Sequence, residues 1–583
     1  MKEVNSKIMS SLEKIPAAIE DAPNVVASEY KKTFNFKGRK SPYIAQKVIE
    51  TIMGNKGVLF DPFAGSGAFI MAGQGVVDEI YATELDNYTY NATKALFEAV
   101  DLDKLKKEFD QVSHKVSQDI MDLYETECCG EKNYIFKLLY DPDEGKDGLF
   151  NPTPNREIQN GHNIKLLHKC PICGNKAKHF DEKDYEKLQK IESIPIKKFP
   201  VDKYIENSRI NITASTGADK YDRIFSHRNK VALLKLQKGV SSLKDSPEKD
   251  ILEHVLVSSI ALARIAMYGS STDILYHVVG HGAQDMNVWQ LFKGKFDNFC
   301  KFKNKFEDKL IGNTSTTVKF SNCDYADYID KNLNSNIDVI YTDFPYTDQV
   351  PYLERNQLFR IWLEKFYDKS KYALTKEMLE KEIVLTNAPA RELKGRLDTY
   401  YNDIDNMFKH FYKALKENGL VMLTMKLGKE KYFKTFIEII NLGRKNGFEY
   451  VYQIGIEKND PTMRKQSAFL NTFTNEMIVA FVKLKEIDAY WYIGNDNYEY
   501  LLVKLIYSYI IHSKDYVTLS SAVNLTCKDL QSKYSYIATD EDKSRIADIL
   551  RSNFTVDDGI IQIDNNKLYL EIEDETDLFT KLY

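Results

Sequence analysis

Val58-Leu59-Phe60-Asp61-Pro62-Phe63-Ala64-Gly65-Ser66-Gly67 is the stretch whose reading decides the fold of this chain. A short apolar run of strand character enters a glycine-rich turn, and glycines let the backbone come close to a nucleotide-like ligand. Beyond Gly67 a helix-like stretch leads to Glu79-Ile80-Tyr81-Ala82-Thr83-Glu84, a second short strand that ends in an acid. That acid falls about 20 residues after the glycines, where dinucleotide-binding folds hold ribose hydroxyls. Upstream, Ile44, Val48, Ile49 and Ile52 recur at helical spacing, and Gly54 and Gly57 stop the pattern before the strand.

A second strand-like run, Ile337-Asp338-Val339-Ile340-Tyr341, enters Thr342-Asp343-Phe344-Pro345-Tyr346. It sets a carboxylate and an aromatic face at the edge of the same sheet. Taken together, the two segments resemble the cofactor and catalytic motifs of amino-group DNA methyltransferases, which use S-adenosylmethionine. The string from Thr342 to Leu363 resembles the large bacterial and archaeal adenine-specific DNA methylases that carry an inserted zinc-ribbon-like segment. Ile224-Phe225-Ser226-His227-Arg228-Asn229, followed by Leu233-Leu234, is similar to a helical stretch of those proteins. The resemblance covers residues 35–485, strongest at the motifs.

The resemblance implies a Rossmann-like α/β class I methyltransferase sheet with a large, mostly helical insertion and a small C-terminal domain. It assigns Asp61, Phe63, Ala64, Gly65, Ser66 and Gly67 to the cofactor loop, and Glu84 to the ribose. Lys40 and Pro42, within Phe36–Tyr43, would cover the methionine end. Asp324 would lie near the adenine, although it equally suits the cap of a helix beginning near Tyr325.

Asp343, Phe344, Pro345 and Tyr346 would carry the reaction. An exocyclic amine is a poor nucleophile because its lone pair is conjugated into the ring. Hydrogen bonds from its N–H groups to the Asp343 carboxylate and the carbonyl of residue 344 would stabilise the developing charge. Tyr346 would stack on a base extruded from duplex DNA. Phe344 stands where the family pattern has proline; the carbonyl survives, but the fixed φ does not. An acidic first residue favours adenine N6 over cytosine N4, and no Pro-Cys nucleophile suits cytosine carbon 5. An RNA base methyltransferase and a DNA-binding module without turnover are the other readings. Restriction or phage-defence partner proteins follow from family analogy alone.

Cys170-Pro171-Ile172-Cys173-Gly174 has zinc-knuckle spacing. Its expected partner, Thr126-Glu127-Cys128-Cys129-Gly130, has threonine where the first cysteine belongs. Cys128 and Cys129 would both bind, or His162 or His168 would supply a ligand, or the ribbon has lost its metal. Cys300, Cys323 and Cys527 lack ligand spacing and are expected in the core.

At 583 residues the chain has room for several domains, and its 43% hydrophobic and 28% charged content is that of an ordinary globular protein. No run approaches the roughly 20 apolar residues of a membrane span, and Met1–Glu20 does not read as a secretory signal. A cytoplasmic location is expected. The net charge of −5 excludes a global basic field, so DNA would meet local lysines. Lys187, Lys190, Lys197, Lys198 and Lys203 form one excess and Lys301, Lys303 and Lys305 another, each read first as a solvated helix face. The expected divisions are 1–104 and 316–486 for the methyltransferase sheet, 105–315 for the insertion and target recognition, and 487–583 for the C-terminal part. Arg464 and Asn471-Thr472-Phe473-Thr474 are further candidates to approach DNA. A final hairpin is expected around Asp564-Asn565-Asn566.

Overall fold

Leu59 and Phe60 are neighbours in one strand yet enter different cores, because successive side chains of a strand leave opposite faces of the sheet. The same alternation separates Val339 and Tyr341 from Ile340, Met422 from Val421 and Leu423, and Ile478 and Ala480 from Val479 and Phe481. A sheet apolar on both faces must be covered on both. Helix Pro42–Met53 lies on one side, and helices Tyr325–Asn332 and Leu397–Ala414 on the other.

The computed structural model describes residues 6–140, 164–267, 283–346, 350–426, 430–456, 476–483, 497–534 and 538–564, apart from 206–207, 209, 211–217, 219, 387, 514–515 and 539. The central sheet has seven strands: β1 (Val58–Asp61), β2 (Glu79–Glu84), β3 (Thr317–Asn322), β4 (Ile337–Thr342), β5 (Leu415–Lys426), β6 (Phe448–Ile456) and β7 (Glu476–Lys483). Their order is β3-β2-β1-β4-β5-β7-β6, with only β7 antiparallel to its neighbours. This is the Rossmann-like α/β sheet expected from the sequence. Strand order reverses between β1 and β4, where open α/β sheets place their ligand crevice. The register Leu59↔Val339 and Phe60↔Ile340 brings the ends of β1 and β4 level.

Between β2 and β3 the chain builds a third core from helices Leu102–Met121, His227–Val240, Pro247–Ala263 and Val288–Lys305. Ser226 caps the second of these, accepting the Asn229 N–H. The buried Asn229 amide in turn donates to the carbonyls of Ala263 and Met286. Helix Pro247–Ala263 stops short of Ala266–Met267, which joins a five-stranded antiparallel sheet. That small sheet was not foreseen; its strands are two to four residues long, too short for periodicity to register.

The lysine run at 301–305 departs from a solvated face at one position: Lys301 and Lys305 are exposed, but Lys303 is not. Lys303 is buried and donates to the carbonyls of Ala95, Leu96 and Glu98, capping the end of helix Asn87–Phe97. Lys305 pairs with Glu29.

Helices Asn497–His512, Leu519–Tyr534 and Asp540–Asn553 follow the central sheet. Leu502, Ile506, Ile546 and Leu550 from them enter the same core as β4 and β5. A hairpin pairs Thr555–Asp557 with Ile560–Gln562 and turns at Asp558 and Gly559, both at positive φ. The hairpin expected around Asp564-Asn565-Asn566 falls on residues 565 onward, outside the described residues. Among the described residues no helix is long and apolar enough to cross a membrane.

Candidate cofactor and catalytic site

One cavity opens at the C-terminal ends of β1, β2 and β4, the switch point of the sheet. Phe63, Ala64, Gly65 and Ser66 line it from the first loop, and Glu84 and Asp324 from the ends of β2 and β3. Asp343, Phe344, Pro345 and Tyr346 line it from the end of β4, and Lys40 from the segment before helix Pro42–Met53. Sequence positions far apart are thus brought to one place.

The loop is shaped by what its glycines avoid. Gly65 and Gly67 have φ of 50° and 85°, in the left-handed region. A Cβ on Gly65 would lie 2.7 Å from the Phe36 ring, and one on Gly67 would lie 2.6 Å from Phe97 and 2.9 Å from Thr93. Gly67 does not line the cavity; it turns the chain into helix Ala68–Gly73. Pro42 is likewise buried at the start of its helix, away from the lining.

Asp61 sits behind the loop. Its Oδ1 accepts from Thr342 Oγ1 at 2.6 Å and from the Phe63 N–H at 3.3 Å, tying β1 to β4. Burial pushes its carboxyl up to about 7, against the pull of those two donors. Glu84 accepts from the backbone N–H of Gly65 and of Asp86, each at 2.8 Å. Burial, assisted by the nearby Asp86 charge, raises it to about 8. Asp324 does both things the sequence allowed: it lines the cavity and caps helix Tyr325–Asn332 through the N–H groups of Ala326 and Asp327.

At the end of β4, Asp343 Oδ1 lies 3.0 Å from Lys40 Nζ, which also lies 2.9 Å from Glu476 Oε1. The Phe344 and Tyr346 rings are buried edge to face, with centroids 5.8 Å apart. Tyr400 donates its hydroxyl to the Pro345 carbonyl. Across the cavity, Phe36 and Tyr352 stack at 5.0 Å, and the Tyr352 hydroxyl donates to the Lys37 carbonyl. Glu476 and Tyr352 were not singled out in the sequence. Nothing local marks Glu476, the first residue of an edge-hairpin strand; Tyr352 lies within the quoted string but has no distinctive neighbours.

A separate cluster holds Cys128, Cys129, Cys170 and Cys173, whose sulfurs all lie within 4.8 Å of one another. The hairpin of Glu125–Cys128 with Glu131–Tyr134 turns at Cys129 and Gly130, at φ 56° and 76°, and this turn swings both adjacent thiols to one side. Separations of 3.9 Å for Cys128–Cys129 and 3.7 Å for Cys128–Cys173 match the edge of a tetrahedron with metal–sulfur bonds of about 2.3 Å. Backbone N–H groups of Cys173 and Ile172 favour the Cys170 thiolate, lowering it to about 7 against its burial. The donor set suits zinc. His168 is buried outside this cluster, and His162 lies outside the described residues. Cys300 is buried, and Cys323 and Cys527 pack half-buried against the second core. Arg464 and Asn471–Thr474 also lie outside the described residues.

No protein-family profile matches the chain, and no curated protein matches it either. Two solved structures of phosphoethanolamine N-methyltransferase 2 from Haemonchus contortus align with it. One, with phosphomonomethylethanolamine and S-adenosylhomocysteine, is 10% identical, with 82% of this chain and 100% of that chain covered, at a TM-score of 0.16. The other, with S-adenosyl-L-methionine, is 11% identical over 76% and 99% of the two chains, at a TM-score of 0.15. Similarity at that level carries no weight here, and the fold rests on the strand order itself.

Proposed function

We propose that this protein is an S-adenosylmethionine-dependent methyltransferase acting on the N6 amino group of adenine in DNA. The observation that carries the reading is the meeting of the Asp61–Gly67 loop, Glu84 and the Asp343–Tyr346 segment around one cavity at the sheet's switch point.

In this reading the backbone of Ala64, Gly65 and Ser66 passes beneath the methionine part of the cofactor, and Glu84 accepts from the ribose hydroxyls. S-adenosylmethionine, when bound, supplies a sulfonium methyl: the carbon–sulfur bond breaks with its electron pair kept by sulfur, the amine forms the new nitrogen–carbon bond, and its surplus proton passes to water. Asp343 and the carbonyl of Phe344 accept the amine N–H groups, drawing the lone pair out of conjugation and stabilising positive charge as it grows on nitrogen. Holding that nitrogen in line lowers the barrier further. Tyr346 meets the face of the flipped base.

The four cysteines bind one structural zinc in this reading, since thiolates prefer zinc and the sulfur spacing fits a tetrahedron. Target recognition is assigned to the insertion, 105–315, because the catalytic sheet has no need of it. The test is transfer of labelled methyl from S-adenosylmethionine to unmethylated duplex DNA, with nucleoside analysis of the product. N6-methyl-2′-deoxyadenosine is expected; label found only in RNA or in cytosine would replace the substrate, and no transfer to any nucleic acid would remove the function.

A further inference from the structure

Lys40 precedes the first helix of the methyltransferase sheet, Asp343 ends β4 and Glu476 begins β7, yet the three side chains meet. The ammonium lies 3.0 Å from Asp343 Oδ1 and 2.9 Å from Glu476 Oε1. Lys40 and Glu476 are almost withdrawn from solvent, at 11% and 5% side-chain exposure, whereas Asp343 keeps 32% on the cavity side. Burying an ammonium alone is costly, and two carboxylates repay that cost. Burial alone would favour the neutral amine, but Asp343 and then Glu476 outweigh it and hold Lys40 above the ordinary lysine value.

We infer that Lys40, anchored by Glu476, is a positioning residue for the Asp343 carboxylate and not a cofactor ligand. The inference rests on the methyltransferase reading of the site. Glu476 fixes Lys40 to the first residue of β7, which pairs with both Lys426 of β5 and Ile456 of β6. Lys40 fixes one oxygen of Asp343, so the carboxylate is held from the floor of the sheet. This matters because Phe344 gives that loop no proline ring to lock it. The charge balance fits as well. Asp343, Lys40 and Glu476 together carry one net negative charge, facing a cavity meant for a sulfonium cation, so the lysine orders the carboxylate without making the site positive. Asp61 and Tyr341 also feel the Asp343 charge from beneath, and Tyr352 feels it from across the cavity.

The experiment compares wild-type protein with Lys40→Met, Lys40→Arg and Glu476→Gln. Single-turnover methyl transfer to duplex DNA should fall at least about 50-fold in Lys40→Met, while S-adenosylmethionine affinity by calorimetry stays within about threefold. Lys40→Arg should regain a tenth or more of the rate, and Glu476→Gln should lose less than Lys40→Met. A second arm needs no substrate: Lys40→Met and Asp343→Asn should lower the melting temperature non-additively, because they remove the same contact. Cofactor affinity lost in step with the rate in Lys40→Met would overturn the inference and make Lys40 a cofactor ligand. Additive melting shifts would overturn the pairing. Wild-type protein that methylates no nucleic acid would overturn the functional reading, and the positioning role with it.

Discussion

Gly65 donates its backbone N–H to Glu84 Oε2 at 2.8 Å, so the turn after β1 and the acid ending β2 are one hydrogen-bonded unit before any ligand arrives. Glu84 is withdrawn from water there, and burial moves it from an ordinary 4.5 to about 8. Asp61 behind it moves from 3.8 to about 7. Acids raised in this way hold more protons folded than unfolded, so their stabilisation is complete below about 4 and is lost as pH rises through 7 to 8. The melting temperature of ligand-free protein should therefore fall between pH 5 and 8. Glu84→Gln, which cannot ionise, should flatten that slope, as differential scanning calorimetry across the range would show.

Gly67 and Phe97 set the second expectation. Alanine at 67 would meet a positive φ, costing about 1–2 kcal/mol, together with overpacking against Phe97 and Thr93 of about 1–3 kcal/mol. Gly67→Ala should lower the melting temperature by several degrees and reduce cofactor affinity through the displaced loop. At Gly65 φ is also positive, but the three nearest atoms all belong to one side chain, the Phe36 ring, so Gly65→Ala should cost less stability and weaken cofactor binding more directly. Unfolding and calorimetry on the two variants would separate these effects.

The contrast between the two glycines shows what could be read from the chain. Strand, turn and acid are local patterns, and β1, β2, β4 and the Asp61–Gly67 turn were legible because apolar runs and glycines declare themselves within a few residues. The Asp558-Gly559 hairpin turn is declared in the same local way, as Asp-Gly at positive φ. Glu476 was illegible because its meaning comes wholly from Lys40, 436 residues earlier in the chain. Lys303 misled for the same reason: nothing near it shows that three carbonyls of another helix surround its ammonium.

Asp343 separates chemistry from binding. Its carboxylate faces the base in the proposed mechanism, and the cofactor loop is built from β1 and β2. Asp343→Ala should cut methyl transfer by about 100-fold or more, the scale on which preorganised electrostatic contacts act. S-adenosylmethionine affinity should change little. Equal losses in both measurements would move Asp343 into the cofactor's own shell.

Cys128 and Cys129 are adjacent, which spoils the spacing of an ordinary knuckle, yet the left-handed turn at Cys129 and Gly130 brings both thiols to Cys170 and Cys173. That part of the chain offers little apolar core: Ile172 between the knuckle cysteines is 62% exposed and the paired strands carry Lys132, Glu127 and Glu131. Folding there should lean on the metal. Elemental analysis of purified protein should find about one zinc per chain, the number one tetrahedral four-thiolate site holds. Cys170→Ser with Cys173→Ser should abolish it, and a strong chelator should lower the melting temperature of wild-type protein. Cofactor affinity should persist in the double variant, since Gly65, Glu84 and Asp343 line the cavity of the central sheet and none of the four cysteines does. DNA affinity should fall if the insertion reads the target. Protein prepared without zinc that binds DNA undiminished would leave the quartet as a remnant fold with no metal to hold.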